Sequence, residues 1–254
     1  MPPVALAAPS PVADGVPFPL TPVQLALHTS SRLHPGLPAH GYVRQTVQGP
    51  LDTGLLEHAL TALADRHTML RLRIHNSSND NSTAGPQQHI APPTALSAWY
   101  EARECHGRIE DLETALRNRP FDLAAEPPVR ALLARESPDL AHLVLVIHHA
   151  AGDGYSLNVL AQELWALYTA LTHGQPLQKE EGGGKKEGGG APPLPALAAD
   201  FARYAAAAAQ ERSSTTGSTA LAADLRYWSH RLTGRTEHCN CPTTATPPPS
   251  PRLP

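Results

Sequence analysis

Cysteine is scarce in this chain: only Cys105, Cys239 and Cys241 occur in 254 residues, too few for a disulfide framework. His238, Cys239 and Cys241 in EHCNC have a metal-like spacing, but no second ligand cluster accompanies them and the Pro/Thr-rich surroundings read as a solvated tail. Aromatic residues are equally sparse at 5%, against 27 prolines and 18 glycines, which leaves ordered core for one lobe. There is no dense Lys/Arg block and the net charge is −3, so neither nucleic acid nor an anionic membrane finds an electrostatic footprint. No apolar run approaches the ~20 residues that cross a bilayer. The opening MPPVALAAPSPVADG lacks the basic start and continuous apolar core of a secretory leader, and the expected location is the cytoplasm.

What is present alternates between two periodicities. Residues 1–16 read as a disordered, Pro/Ala-rich lead-in. Thr21 caps a helix that starts at Pro22 and shows Val23, Ala26 and Leu27 on its apolar face. YVRQTVQ, residues 42–48, alternates as a half-buried strand. Asp52 caps a helix with Leu55, Leu56, Ala59, Leu60 and Leu63 along one side. MLRLRI alternates again, with Leu70, Leu72 and Ile74 on one face and Arg71 and Arg73 on the other. Residues 76–95 are turn-rich and read as an exposed insertion. A helix lies within 99–118, with Ile109, Leu112, Ala115 and Leu116 inward, and VRALLAR (129–135) returns as a strand. Residues 178–194 form a Gly/Lys/Glu low-complexity linker. Two further helices cover about 195–212 and 220–234, the second ending at Gly234, and residues 235–254 read as a disordered tail.

The most informative segment is LVLVIHHAAGDGYSLNVLAQELWALYTAL, residues 143–171. Leu143 to Ile147 form a short buried strand. Leu157, Leu160, Ala161, Leu164, Leu167 and Leu171 recur at helical spacing, with Gly174 placed to end the helix. His148, His149, Asp153 and Gly154 therefore occupy a strand-to-helix turn, where rigid flanks can hold a reactive side chain. Taken singly they have plain uses: a structural histidine, an Asp cap, a turn glycine. Together they put an imidazole, which titrates near neutrality, where it can take a proton from an attacking amine or hydroxyl. No companion His/Glu ligand motif implies a metal.

IHHAAGDG resembles the HHxxxDG motif of the condensation-domain superfamily of nonribosomal peptide synthetases. PLTPVQLALH, with Gln24, resembles the family's first motif. ADRHTMLRLRI, with Arg66, His67, Leu70 and Arg71, resembles its RHxxLR motif, although Thr68 stands where the family commonly has an acidic residue. PFDLAAEPPVRALL, with Phe121, Asp122 and Arg130, and LRYWSHRLTG, around Tyr227 and Trp228, resemble two further signatures.

The resemblance implies an α/β (α+β) fold, a chloramphenicol-acetyltransferase-like lobe with a mixed sheet flanked by helices, spanning residues 17–234. It makes His149 the catalytic histidine and His148 its structural neighbour. Asp153 would hold the turn through Arg66 or Arg71, and Gly154 would let backbone approach the reacting centre. The implied reaction joins an acyl or peptidyl thioester to the amine of an aminoacyl acceptor. No cofactor binds directly; both substrates ride on the phosphopantetheine of carrier proteins, which are the implied partners. No DFGWG-like sequence or second αβ pattern follows Gly234, so the expectation is a truncated domain whose second wall comes from a separate C-terminal lobe or a second copy. Three other readings remain open: an acyl-CoA-dependent O-acyltransferase of the same superfamily, an epimerisation domain, and a non-catalytic remnant that binds carriers.

Overall fold

The computed structural model describes residues 14–37, 39–76, 85–175, 177, 194–197 and 200–233. Among these residues seven strands run in chain order: β1 (Phe18–Pro19), β2 (His40–Gln48), β3 (Leu72–His75), β4 (Gln87–Ile90), β5 (Tyr100–Glu104), β6 (Val129–Ser137) and β7 (Leu140–His148). The helices are α1 (Pro22–Leu33), α2 (Thr53–Arg66), α3 (Ile109–Asn118), α4 (Gly154–Thr172), α5 (Phe201–Ser213) and α6 (Thr215–Leu232). One compact unit ends at Ala209, and a second begins at Gln210.

In the first unit the larger sheet has the order β2-β7-β6-β5. β7 is antiparallel to both its neighbours, while β5 and β6 run parallel. The sheet is therefore mixed, as the resemblance implies. β7 lies at its centre because it is apolar on both faces. Leu143, Leu145 and Ile147 pack with Leu56, Leu60 and Leu63 of α2 and Leu157, Leu160 and Leu164 of α4. Val144 and Val146 face Leu116, Leu132 and Ala134 on the other side. Burying each such side chain contributes about 1.5–3 kcal/mol, so the strand that ends in His148 is among the best-anchored segments of the unit. A smaller sheet, order β1-β4-β3, brings Phe18, Leu72, Ile74 and Ile90 against Ala202 and Ala205 of α5.

Several local expectations change. The strand expected across MLRLRI begins only at Leu72, after a 3-10 turn over Thr68–Arg71. Arg71 and Arg73 are not a solvated face: they are 8% and 7% exposed. Arg71 donates to the Ala91 carbonyl and pairs with Asp14 at 2.8 Å. Asp14 and Gly15 thus belong to the ordered unit, although residues 1–16 read as a loose lead-in. Residues 77–84 of the expected exposed insertion lie outside the described residues, but its remainder includes β4, where Gln88 and Ile90 are buried. The helix expected within 99–118 is α3, and the polar stretch before it forms β5, a strand that the sequence did not announce. In α1 the buried residues are Gln24 and His28, while Val23 points outward. Residues 178–193 of the linker expected over 178–194, and the whole of the tail expected over 235–254, lie outside the described residues.

In the second unit, Ser214 caps α6 by accepting from the Gly217 amide. Tyr227 and Trp228 on this helix meet edge to face at 5.2 Å.

Candidate active site

β7 ends at His148, and the chain then turns through His149–Gly152 into α4. Four contacts fix this corner. The His149 amide donates to the Ala39 carbonyl at 2.9 Å, extending the β2–β7 ladder by one bond. The Ala150 amide donates to His148 Nδ1 at 3.0 Å, and the Ala151 amide to the His148 carbonyl at 2.8 Å. Gln24 Nε2 of α1 donates to the Ala150 carbonyl at 2.8 Å. Gln24 is itself held by a reciprocal amide pair with Gln88, at 2.9 and 2.8 Å. The motif residue Gln24 thus acts as a tie between α1, β4 and the turn.

The two histidines point to opposite faces, as neighbours at a strand end must. His148 is buried at 4% exposure, packed on the edge of the Phe121 ring at 5.8 Å. Because its Nδ1 accepts an amide proton, Nε2 carries the hydrogen and donates to Ser31 Oγ at 3.2 Å. Ser31 passes its own hydroxyl proton to the Leu27 carbonyl. Burial above all, then the nearby His149, His28, His40 and Arg130, push the His148 pKa down to about 4 from 6.5. An unfolded chain would therefore bind a proton here that the folded one refuses. The His148 contribution to stability is complete above pH ~6.5 and is lost as pH falls toward about 4. Urea midpoints measured at pH 7.5 and 5 should differ more for the parent chain than for His148→Asn.

His149 is half-buried. Its Nδ1–H donates to the Gly152 carbonyl at 3.2 Å, which fixes the tautomer with a lone pair on Nε2. This ring faces a cavity of about 500 Å³. Met69, Leu70, Ile147, Val159, Leu160 and Phe201 give it an apolar wall, and Gln24, His67, His149, Asp153 and Ser156 supply its polar groups. Gly41 on β2 makes room for the ring: a Cβ there would sit 3.3 Å from His149 Cε1 and 3.0 Å from Leu157 Cδ1.

Asp153 departs from expectation. Its Oδ1 accepts the Ser156 amide at 2.8 Å and the Ser156 hydroxyl at 2.7 Å, and its own amide donates back to Ser156 Oγ. These bonds, the amide's first, hold its carboxyl below the ordinary carboxylate range. Among the described residues no arginine pairs with Asp153. Arg71 is engaged at Ala91 and Asp14, and Arg66 pairs with Glu163 at 2.7 Å. A helix N-terminus supplied nearer donors than either guanidinium, and as a cap Asp153 contributes about 0.5–2 kcal/mol.

The glycines also exchange roles. Gly154, the first residue of α4, has open space where a Cβ would be, so it leaves room for backbone approach without requiring glycine. Gly152 is the constrained one, since a Cβ there would meet Ile147 Cδ1 at 2.9 Å and Ser156 Cβ at 3.0 Å. Gly152→Ala should cost about 1–3 kcal/mol by overpacking, whereas Gly154→Ala should stay within about 0.5 kcal/mol of the parent. Paired thermal melts check both.

Sequence spacing did not find Glu163. Its carboxylate bridges Arg66 and His67, with His67 Nε2 at 2.7 Å, on a helix face whose leucines carry the whole periodic signal.

Residues 17–183 match the family model for the condensation domain. The chain is 30% identical over 213 residues to a dimodular nonribosomal peptide synthase of Bacillus subtilis (strain 168), covering 81% of this chain and 8% of that protein. It is 30% identical over 236 residues to the chondramide synthase of Chondromyces crocatus, covering 90% and 5%. Among solved structures, the starter condensation domain of the rhizomide synthetase superposes with a TM-score of 0.66 at 20% identity, over 88% of this chain and 49% of that one. The first condensation domain of the calcium-dependent antibiotic synthetase gives 0.68 at 20% identity over the same shares, 88% and 49%. The chain thus spans a small fraction of the synthetases and about half of each solved domain.

Proposed function

Because the chain belongs to the condensation-domain family, we propose that it is the histidine-bearing half of an amide-forming acyltransferase of nonribosomal peptide synthesis. The donor is an acyl or peptidyl thioester and the acceptor the amine of an aminoacyl thioester. Both are presented on phosphopantetheinyl carrier proteins, and no cofactor is held by the chain itself. His149 acts at the reacting nitrogen: its Nε2 lone pair accepts a proton as the C–N bond forms, or holds the charge developing there. His148, Asp153 and Gly154 shape the turn that presents it, and Arg66 and Arg71 brace the neighbouring segment.

The observation that carries this reading is the His149 tautomer. The Gly152 carbonyl takes Nδ1–H and leaves Nε2 with its lone pair, on a ring that lines the cavity. We place the reaction in the cytoplasm. Among the described residues no helix is long and apolar enough to cross a membrane.

A cavity closed on one side positions substrates poorly, and positioning can account for about 7–11 kcal/mol of barrier lowering. The second wall comes from a further polypeptide segment or a second copy. The test supplies purified chain, alone and with a C-terminal condensation half in trans, with carrier-bound donor and acceptor thioesters. His149-dependent amide in the reconstituted sample supports the reading. Ester from acyl-CoA and an alcohol would instead assign an O-acyltransferase, and carrier binding without product a scaffold.

A further inference from the structure

The cavity that holds His149 contains a second imidazole with an unusual mounting. Glu163 Oε2 lies 2.7 Å from Arg66 Nε and 2.7 Å from His67 Nε2, and Oε1 lies 3.4 Å from the other end of the guanidinium. Burial alone would push the Glu163 carboxyl up, but the hydrogen bonds and charges of Arg66 and His67 hold it below its ordinary value. The carboxylate therefore stays ionised and takes Nε2–H from His67. That leaves Nδ1 with the lone pair, and among the described residues no side chain or backbone group partners it. His67 lines the cavity together with His149. An imidazole whose far nitrogen is bonded to a fixed carboxylate is held in one tautomer and one orientation, which presents its other nitrogen as an acceptor.

The chemistry proposed above has a use for such a group. An α-amino group has a pKa of about 7.7–8.0 and arrives mostly as ammonium at pH 7. To become an amide nitrogen it must lose two protons, and a single base on one face handles them in turn.

We propose that His67, held by Glu163 and Arg66, is a second catalytic base, one that takes the first proton from the acceptor ammonium before attack. The assignment rests on the amide-forming reading. His67 Nδ1 accepts that proton, and the freed nitrogen lone pair forms the C–N bond to the thioester carbon. As the tetrahedral intermediate collapses, the C–S bond breaks and its electron pair leaves on sulfur. The second proton passes through His149 Nε2 to the thiolate. His67 then releases its proton to solvent. One ammonium and one thioester give one amide, one thiol and one proton.

The test compares the parent chain, His67→Gln and Glu163→Gln in the reconstituted assay across pH 6.5–9, with melting temperatures as folding controls. Loss of the base should lower kcat about 10²-fold at pH 7 with KM changed less than about threefold. The deficit should shrink as pH rises toward 9, where the amine arrives neutral, and an acceptor amine already neutral at pH 7 should show little deficit. A brace between α2 and α4 would give a loss equal at every pH, or none; either result overturns the proposal. If the parent chain itself forms no amide, the reading beneath the proposal fails, and His67 is judged by nitrogen-15 NMR with leucinamide as probe. An Nε2–H tautomer whose Nδ1 resonance moves on adding the amine supports the site, and an Nδ1–H tautomer or an unresponsive ring overturns it.

Discussion

Replacing His149 with alanine should cut amide formation by about 10²- to 10⁴-fold while leaving the melting temperature close to that of the parent chain. The separation of the two effects follows from where the ring sits. Its one hydrogen bond goes to the Gly152 carbonyl, and its outer side faces the cavity, so truncation leaves no sealed void. The turn keeps its fixed points, because they are made by the His149 amide, the Ala150 carbonyl and the His148 ring. His148→Ala should behave in the opposite way: it removes the acceptor of the Ala150 amide and the donor to Ser31 together, costing stability first and activity as a consequence. Single-turnover rates with carrier-bound thioesters, read beside thermal melts of the same preparations, separate the two residues. A loss below threefold for His149→Ala would remove the imidazole from the chemistry.

The parts of this picture legible in sequence are those in which neighbours in the chain are also neighbours in function. β7 and α4 announce themselves by an apolar run and a helical period, and the turn between them needs only residues 148–154. The missed elements are polar. β4 reads QQHI, and its Gln88 is buried because it exchanges amide bonds with Gln24 of α1, 64 residues away. α1 buries Gln24 and His28 instead of its valine for the same reason. Hydrophobic periodicity registers transfer from water, not hydrogen bonds satisfied across elements. Arg71 and Arg73 follow that rule, since alternation suggests a wet face while the Ala91 carbonyl and the Asp14 carboxylate partner Arg71 and the Leu72 carbonyl partners Arg73. Glu163 is similarly silent in sequence, lying 96 residues from His67. The Asp153–Arg pair fails in the other direction: a family motif names the residues, but the nearest donors to Asp153 are those of its own helix.

Arg130→Met should destabilise the first unit by about 3–5 kcal/mol, the cost of breaking a buried ion pair from one side. Arg130 sits on β6 at 2% exposure. Its guanidinium donates to the carbonyls of Arg119 and Pro120 and to Glu126 Oε1 at 2.8 Å, and lies 3.6 Å over the Phe121 ring. One side chain thus gathers the segment from Arg119 to Glu126, and Phe121 in turn packs on His148. Methionine fills most of the stem's volume but leaves two carbonyls without their donor, and each buried polar group left unpaired costs about 1–3 kcal/mol. Glu126 is 27% exposed and can turn to water, which holds the loss within the stated range. Lysine should recover only part of the stability, because a point charge on a flexible stem cannot reproduce the planar fork that reaches three acceptors and stacks on an aromatic face. Urea denaturation of the parent, Arg130→Met and Arg130→Lys, with Phe121→Leu in a double-mutant cycle, measures both terms. A Met variant within about 1 kcal/mol of the parent would show that the 119–126 segment is held by its own turns, and that the arginine's support of the His148 corner is dispensable.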